Sequence, residues 1–464
     1  MKRRNLMIGG GVVLAAPAII GGRAKAQSAS ALGTTLTPFG ADPKASADGL
    51  VGAWTGGLSA PPAGWSNPPS NPFSDDKPIF TVTLDNMAQY DAMLCEGQRQ
   101  MLKRYGAAGF KMNVYPSRRS FAAPQYVYDN TALNVARAKP SAQGLIWGFE
   151  GAVGGVPFPI LSPDPSVAGV QIMWNHLVSY QGQYVSCATG EYVCSQGDNV
   201  LVLGAAGQAA HPYYFKDVTP ENYTGQYSWG ISENTAPPNL VGGKAVFEYF
   251  SDLAKYKNAA FEYLVGEGRV RQAPQAQYDI PCSQVDDAIN YDEAGVFAGA
   301  LDRYNWKYLG KKQMIVRYNG YDLYNAPNDN STMGQNFVNP ELIRWEVHRC
   351  RVVEATLAPG KRHTMPHRMF YMDEDSWQGL MADGWDAQGN YWRNDNVIPI
   401  MLFGEEGPFP FYYAQIYYNL QSNQYVLQNT WFKGSPAIGG GPIITKPFPL
   451  AELNPQSMLA SGSL

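Results

Sequence analysis

The chain has 464 residues, of which 35 are basic and 39 acidic, so its formal net charge at pH 7 is −4. No basic tract follows the N-terminal region, and this charge pattern disfavours nucleic acid as a partner. Aromatic residues make up 13% of the chain, and the 29 Tyr, 48 Gly and 34 Pro favour strands and turns over a helical bundle.

The N-terminus has the pattern of a cleavable export signal. The pair Arg3-Arg4 precedes an apolar stretch over residues 6–22, and the small-x-small sequence Ala24-Lys25-Ala26 follows it. An arginine pair in this position is typical of the bacterial twin-arginine route. We expect cleavage after Ala26 and a periplasmic mature protein. The alternative is an uncleaved membrane anchor, which the short, glycine-interrupted apolar stretch disfavours.

Composition predicts three regions after the signal. Residues 27–80 are rich in Ser, Pro, Gly and Ala and are expected to form an extended arm over the body, with Trp54 and Trp65 as anchors. Residues 81–447 are expected to form a single domain, and residues 448–464 a loosely ordered tail.

The first regular element of the domain is an amphipathic helix over residues 87–105. Met87, Tyr90, Leu94 and Met101 recur at helical spacing and give it an apolar face rich in methionine and aromatic side chains. A second, short helix is expected near residues 245–254.

Strand patterns dominate the rest of the chain. They cover residues 109–114, 125–128, 171–177, 183–185, 199–203, 269–273, 313–318, 344–357, 362–373 and 411–418. Residues 344–357 and 362–373 flank a four-residue turn and predict a long hairpin, and residues 385–392 predict another turn between strands. Residues 220–243 are interpreted as a loop. The pattern predicts an α+β fold with a large, strongly twisted antiparallel sheet and a few helices on one face.

The five cysteines lack metal-binding spacing. Cys187 and Cys194 flank a turn-like stretch and predict a disulfide across a hairpin, which an oxidising compartment permits. The sequence does not pair Cys95, Cys282 and Cys350, and at least one of them is expected to be a free thiol.

The familiar catalytic and nucleotide-binding motifs are missing from the sequence, so no catalytic residue, cofactor or metal is expected. His363 and His367 are four residues apart, but Pro366 excludes a regular helix, and we interpret both as surface or strand-end histidines. The acidic run Asp373-Glu374-Asp375 has two interpretations: a cation-binding or acid–base site, or a strand end with solvent-exposed acids. The second is favoured.

Two arginine pairs are candidate contacts for an anionic head group or a partner. They are Arg118 with Arg119, and Arg269 with Arg271, which share one face of a predicted strand. Salt bridges within the sheet explain them equally well.

The aromatic and methionine content is the most informative feature for function. Such side chains build adaptable apolar pockets, although core packing explains each one singly. Each buried methylene of a lipid chain contributes about 0.8 kcal/mol, so such a chain needs a carrier to cross water. The candidate ligand-binding residues are Met87, Tyr90, Leu94, Met101, Trp174 and Phe370.

Several stretches, in order along most of the chain, resemble one known family. They are residues 47–57, 86–105, 114–119, 154–159, 173–177, 302–306, 353–356, 359–363 and 370–377, which ends in Asp373-Glu-Asp-Ser-Trp377. The family is a set of secreted proteobacterial proteins called domain of unknown function 1329, grouped with the LolA/LolB lipoprotein-sorting fold. Residues 266–272 are less basic than in the usual family pattern, and the twin-arginine signal is not typical of lipoprotein carriers.

The resemblance implies a half-open antiparallel barrel around an apolar cavity, with helices such as 87–105 as plug or lid. It also implies a periplasmic carrier of lipids or lipoproteins that works beside an inner-membrane exporter and an outer-membrane protein, with peripheral membrane contact. It provides no catalytic residues. An exported enzyme and a structural subunit of an envelope complex are the alternative hypotheses.

Overall fold

A computed structural model describes residues 29–67, 69–273, 277–430 and 443–459. The predicted signal, residues 1–26, lies outside these ranges. None of the helices within them combines the length and apolar character that crossing a bilayer requires.

Seventeen strands are present in the described ranges: β1 Phe80–Val82, β2 Met112–Tyr115, β3 Lys139–Pro140, β4 Phe149–Glu150, β5 Tyr184–Ser195, β6 Asp198–Ala210, β7 Gln226–Ala236, β8 Lys244–Phe250, β9 Ala259–Leu264, β10 Arg269–Gln272, β11 Tyr304–Arg317, β12 Trp345–Leu357, β13 His367–Asp373, β14 Gly379–Trp385, β15 Tyr391–Gly404, β16 Gly407–Asn419 and β17 Gln424–Thr430. The α-helices are α1 Glu96–Tyr105, α2 Gln125–Arg137, α3 Pro165–Leu177, α4 Tyr321–Tyr324 and α5 Asp329–Thr332. Short 3-10 helices include Met87–Met93, Ser283–Val285, Tyr291–Glu293, Leu450–Leu453 and Pro455–Leu459.

Fifteen of the strands form one sheet. Its order is β1-β2-β12-β13-β14-β15-β16-β17-β5-β6-β7-β8-β9-β10, with β11 paired to the other side of β12. The pairing is antiparallel throughout, except where β2 meets the start of β12 in parallel. Within the described residues β1 and β10 do not pair, so the sheet stays open. The predicted α+β class, with a large, half-open and mainly antiparallel sheet, is confirmed.

The predicted long hairpin is confirmed as β12 and β13, but its second strand begins at His367 and residues 358–366 connect the two strands. Cys350 faces Asp373 at one end of the pair, and Thr356 faces His367 at the other. The predicted turn near 385–392 joins β14 to β15, with Trp385 opposite Tyr391.

Two predicted strands are wrong, because residues 125–128 and 171–177 lie in helices α2 and α3. The Asp164 carboxylate caps α3 by accepting a hydrogen bond from Ser166 N at 2.8 Å. Helix α3 is buried on several sides, so its sequence shows no amphipathic period. Gly169 allows close packing on β11, since a Cβ there would lie 2.9 Å from the Lys307 nitrogen.

Two expectations for residues 220–254 are also wrong. Residues 245–254 were expected to be helical, but most of them lie in β8, whose Val, Phe and Tyr content suits a strand. The predicted loop at 220–243 contains strand β7, which pairs with β6 and β8. Tertiary pairing overrides the turn-rich composition there.

The predicted disulfide between Cys187 and Cys194 is also wrong. Both residues lie on the uninterrupted strand β5, where Cys187 faces Gly207 and Cys194 faces Asn199 of β6. Seven strand residues span roughly 23 Å, whereas a disulfide requires Cα atoms roughly 4–7 Å apart. The turn lies after Ser195, not between the two cysteines.

Side chains from residues 27–80, the predicted arm, pack against the body. Phe39 and Val51 are buried, and the Trp65 ring packs edge-on against Phe403 with ring centroids 4.9 Å apart. Trp54 is half-buried. The Trp377 indole donates a hydrogen bond to the Phe39 carbonyl at 2.9 Å, which fixes the arm to the sheet.

The tail is packed rather than loosely ordered up to residue 459. Leu453 and Met458 are buried against Ala210, Ile231 and Val246 of strands β6, β7 and β8. Residues 460–464 lie outside the described ranges.

Candidate functional site

A cleft lies against strands β5 to β8. Its main part has a volume of about 340 Å³, and a neighbouring pocket has about 250 Å³. The two are contiguous because they share Ala209, Gly230, Phe247, Tyr249 and Ala294. Small residues of β6 and β7 line the cleft, and residues of the segments 176–181 and 282–298 line it as well.

Aromatic and uncharged polar side chains line the main part of the cleft. The aromatic members are Tyr214, Tyr227, Phe247, Tyr249, Phe297 and Tyr412. Ser179, Gln181, Ser228, Gln378 and Gln415 supply side-chain polar groups. Such a lining suits a mostly apolar molecule with a few hydrogen-bonding groups.

The two histidines of the cleft are uncharged at neutral pH. His176 bonds the Phe297 carbonyl through Nε2 at 2.9 Å and accepts from Gly379 N through Nδ1 at 3.0 Å. Burial lowers the pKa of His176 to about 4, and it lowers the pKa of His211 equally far. The His176 bonds fix its tautomer and leave no ring nitrogen to act as a base.

Several polar atoms of the lining have no hydrogen-bond partner within the described residues. They include the Tyr412 hydroxyl, which lies near Ser376 without hydrogen-bonding geometry, and Oε1 of Gln208 and of Gln428. Tyr412 and Gln428 are 4% and 5% exposed. Burial raises the pKa of Tyr412 well above its usual value, so the group remains a neutral hydroxyl.

None of the six predicted ligand-binding residues lines this cleft. Leu94, Met101, Trp174 and Phe370 are at most 3% exposed and lie in the main hydrophobic core. Met87 and Tyr90, in the 3-10 helix Met87–Met93, are partly buried against the same core. The structure therefore shows core packing for these six residues, which is the alternative interpretation of each of them.

Helix α1, within the predicted 87–105 helix, is fastened to the sheet at its N-terminus. The buried Asp383 carboxylate on β14 accepts hydrogen bonds from Glu96 N and Gly97 N, both at 2.9 Å, and from the Tyr391 hydroxyl at 2.7 Å. Burial raises the pKa of Asp383. Gly97 is required here, since a Cβ would lie 2.3 Å from Asn394 Nδ2 and 2.4 Å from the Tyr391 hydroxyl.

The four candidate head-group arginines form ion pairs within the protein and lie outside the cleft lining. Arg118 bonds Asp76 at 2.5 Å, and the buried Arg119 holds Asp375 with two bonds of 2.6 and 2.9 Å. Arg269 and Arg271 are exposed on β10 and pair with Glu267 at 3.2 and 3.3 Å. Salt bridges, the alternative interpretation, account for all four.

The favoured interpretation of Asp373-Glu374-Asp375 as exposed acids is wrong. All three are at most 4% exposed. Asp42 of the arm donates its backbone N–H to Glu374, and Arg119 of the loop before α2 bonds Asp375. One donor atom from each of His348, Asp373 and Asp375 lies within 4.8 Å of the others, close enough to hold a metal ion. The protein already supplies partners: Arg119 holds Asp375, and Ser376 and Tyr318 donate to Asp373.

The pair His363 and His367 separates in the structure. His363 is buried and bonds Asp292 at 2.8 Å, so its interpretation as a surface histidine is wrong. His367 begins β13, is half-exposed and bonds Glu354 at 3.2 Å, as expected for a strand-end histidine.

The cleft was missed because no single segment of the sequence contains it. Part of its signal was alternation: Cys187, Thr189 and Glu191 on β5 line it, as do Leu203, Ala205, Gly207 and Ala209 on β6, where Gln208 lines it too. That pattern of small residues identifies a surface only once the two strands are known to pair.

The chain has clear relatives. A family model described as "Protein of unknown function (DUF1329)" matches residues 81–442. An uncharacterized protein of Pseudomonas aeruginosa is 32% identical over 404 residues, which cover 86% of this chain and 87% of the relative.

Similar solved structures were also found. A DUF1329 family protein from Desulfovibrio piger is 13% identical, with 57% of this chain and 90% of that chain covered and a TM-score of 0.38. A putative outer membrane lipoprotein-sorting protein domain from Vibrio parahaemolyticus is 9% identical, with 60% and 92% covered and a TM-score of 0.39. A LolA superfamily protein from Nitrosomonas europaea is 8% identical, with the same coverages and a TM-score of 0.32.

Proposed function

This chain belongs to the DUF1329 family, and on that premise we propose that it is a periplasmic carrier of a hydrophobic ligand. The observation that supports the proposal is the aromatic cleft on β5 to β8. Its volume of about 340 Å³, continued by a second pocket of about 250 Å³, is in the range of small-molecule sites. We place the ligand there and not among Met87, Tyr90, Leu94, Met101, Trp174 and Phe370.

The rings of the lining give the ligand most of its binding free energy. Phe247 and Tyr249 of β8 face both parts of the cleft, so one extended apolar chain contacts them along its length. Each methylene transferred from water contributes about 0.8 kcal/mol, and a chain of ten or more carbons is thereby held firmly. Release then requires a partner protein or a movement of one of the other lining segments, residues 176–181 or 282–298.

The periplasmic location and the partners are part of the proposal. The location rests on the Arg3-Arg4 signal and its cleavage after Ala26. A carrier in that compartment would exchange its ligand with an inner-membrane exporter and an outer-membrane protein. Replacing both arginines by lysine is expected to leave the full-length precursor in the cytoplasm. Detecting the processed protein in the periplasmic fraction of that variant would contradict the proposed route.

The test of the carrier function is what the protein holds when purified from its native host. Native mass spectrometry and solvent extraction are expected to reveal a copurifying apolar molecule. The variant Ala209→Trp, which fills the cleft at a residue shared by both of its parts, is expected to lose that molecule. Val200→Trp, at an exposed residue of the same strand β6, is the matched control. An empty wild-type protein, or a ligand retained by folded Ala209→Trp, would refute the proposal.

A further inference from the structure

The described lining of the cleft lacks cationic side chains. Within the described residues, no lysine or arginine lines either part. The main part carries no acid either, and the neighbouring pocket adds one, Glu191. The arginines Arg118, Arg119, Arg269 and Arg271 are all paired elsewhere, as described above.

The histidines do not replace the missing cations. His176 and His211 have pKa values of about 4 because burial disfavours their charged forms, so both are neutral above pH 5. An anionic head group anywhere in the cleft, or a cationic one in its acid-free main part, would therefore be buried without a counter-charge. Such burial is costly, and an ionisable ligand avoids it only by becoming neutral.

The lining instead offers neutral hydrogen-bonding groups. Tyr412 and Gln428 line the cleft and are more than nine-tenths buried, and the hydroxyl of the first and the side-chain oxygen of the second have no partner within the described residues. A hydroxyl group on a ligand both donates and accepts a hydrogen bond, so it satisfies either of them.

We propose that the cleft selects an uncharged amphipathic ligand, an apolar chain that ends in a hydroxyl or ester, over a charged amphiphile with the same chain. The inference rests on the proposed carrier function, because it concerns the ligand of that same cleft.

The test compares three probes that share a twelve-carbon chain: dodecanol, laurate and dodecylammonium. Each competes, below its solubility limit or micelle concentration, with the uncharged dye Nile red bound to the full mature chain at pH 7.4. Dodecanol is expected to displace the dye at a concentration at least about tenfold lower than either ion. The difference between the displacing concentrations of laurate and dodecanol is expected to decrease towards pH 5, because laurate then binds as the neutral acid.

Two substitutions test the origin of the selectivity. Gln181→Lys adds a cation to the half-buried rim and is expected to strengthen laurate binding at least about fivefold. Val200→Lys, on the exposed part of β6, is expected to leave all three probes unchanged. Ser228→Lys is the second cleft variant in case Gln181→Lys does not fold. Tyr412→Phe is expected to weaken the binding of dodecanol about threefold while the melting temperature of the protein stays constant.

The outcomes separate the two proposals. If Nile red shows no saturable binding and no probe binds, the carrier function fails. If Nile red binds but laurate or dodecylammonium competes as well as dodecanol, or dodecanol does not compete, the carrier function stands and the selectivity for uncharged ligands is overturned.

Discussion

Adjacent arginines provide a quantitative test of the structure. Arg118 is 46% exposed in its side chain, and its partner Asp76 also holds Arg344 at 2.7 Å. Arg119 is 3% exposed, and its partner Asp375 is 4% exposed. Replacing Arg119 with methionine leaves that carboxylate buried without its cation, and we expect a loss of about 3–5 kcal/mol in the free energy of unfolding. Arg118→Met is expected to cost less than about 1 kcal/mol.

Urea unfolding followed by tryptophan fluorescence measures both variants under identical conditions. In the Arg119→Met background, Asp375→Asn is expected to restore part of the stability, because it removes the unpaired charge. Equal losses in the two single variants, or no recovery in the double variant, would show that Arg119 and Asp375 are not a buried pair.

The remaining predictions concern the anchor of α1 and a cleft histidine. Gly97→Ala is expected to lower the free energy of unfolding by about 1–3 kcal/mol, because the added Cβ clashes with Asn394. Gly266→Ala, where the added Cβ meets open space, is expected to leave the free energy of unfolding unchanged. Asp383→Asn is expected to cost about 2 kcal/mol and to speed hydrogen exchange at the first amides of α1; unchanged exchange would contradict the anchoring role. The folded-state pKa of His176, about 4, lies below the unfolded value of 6.5. Because the unfolded chain therefore binds a proton more readily, the free energy of unfolding decreases as pH falls below about 6.5, by about 3 kcal/mol at pH 4. His176→Gln is expected to flatten that slope in unfolding measured from pH 7 to 4, and an unchanged slope would rule out His176 as its source.

Local pattern was enough to predict much of the sheet. Residues 344–357 and 362–373 contain the two strands of the β12–β13 hairpin, and the connection over residues 358–366 includes the predicted turn at 358–361. The class of fold follows from many such segments. Residues 171–177 were misassigned because α3 is buried on several sides and so lacks the period of a surface helix.

The site was harder to predict than the fold. The sequence pattern predicts methionine and aromatic residues such as Met101 and Trp174 as ligand-binding residues, yet both lie in the hydrophobic core. The cleft is built from alanine and glycine on β6 and β7, and from rings on β8, which meet only through pairing between strands. The charged residues led to the opposite error: Asp375 looks solvent-exposed in sequence because its cation, Arg119, is more than 250 residues away.

The most direct test of the account is to map where an apolar ligand binds. A photoreactive, uncharged alkyl alcohol is crosslinked to the purified mature chain, and the modified peptides are identified by mass spectrometry. We expect adducts at Phe247 and Tyr249 of β8 and at residues 294–298, and we expect dodecanol to suppress them. Adducts concentrated instead on residues 87–105, or spread over the surface without competition, would contradict the assignment of the ligand to the cleft.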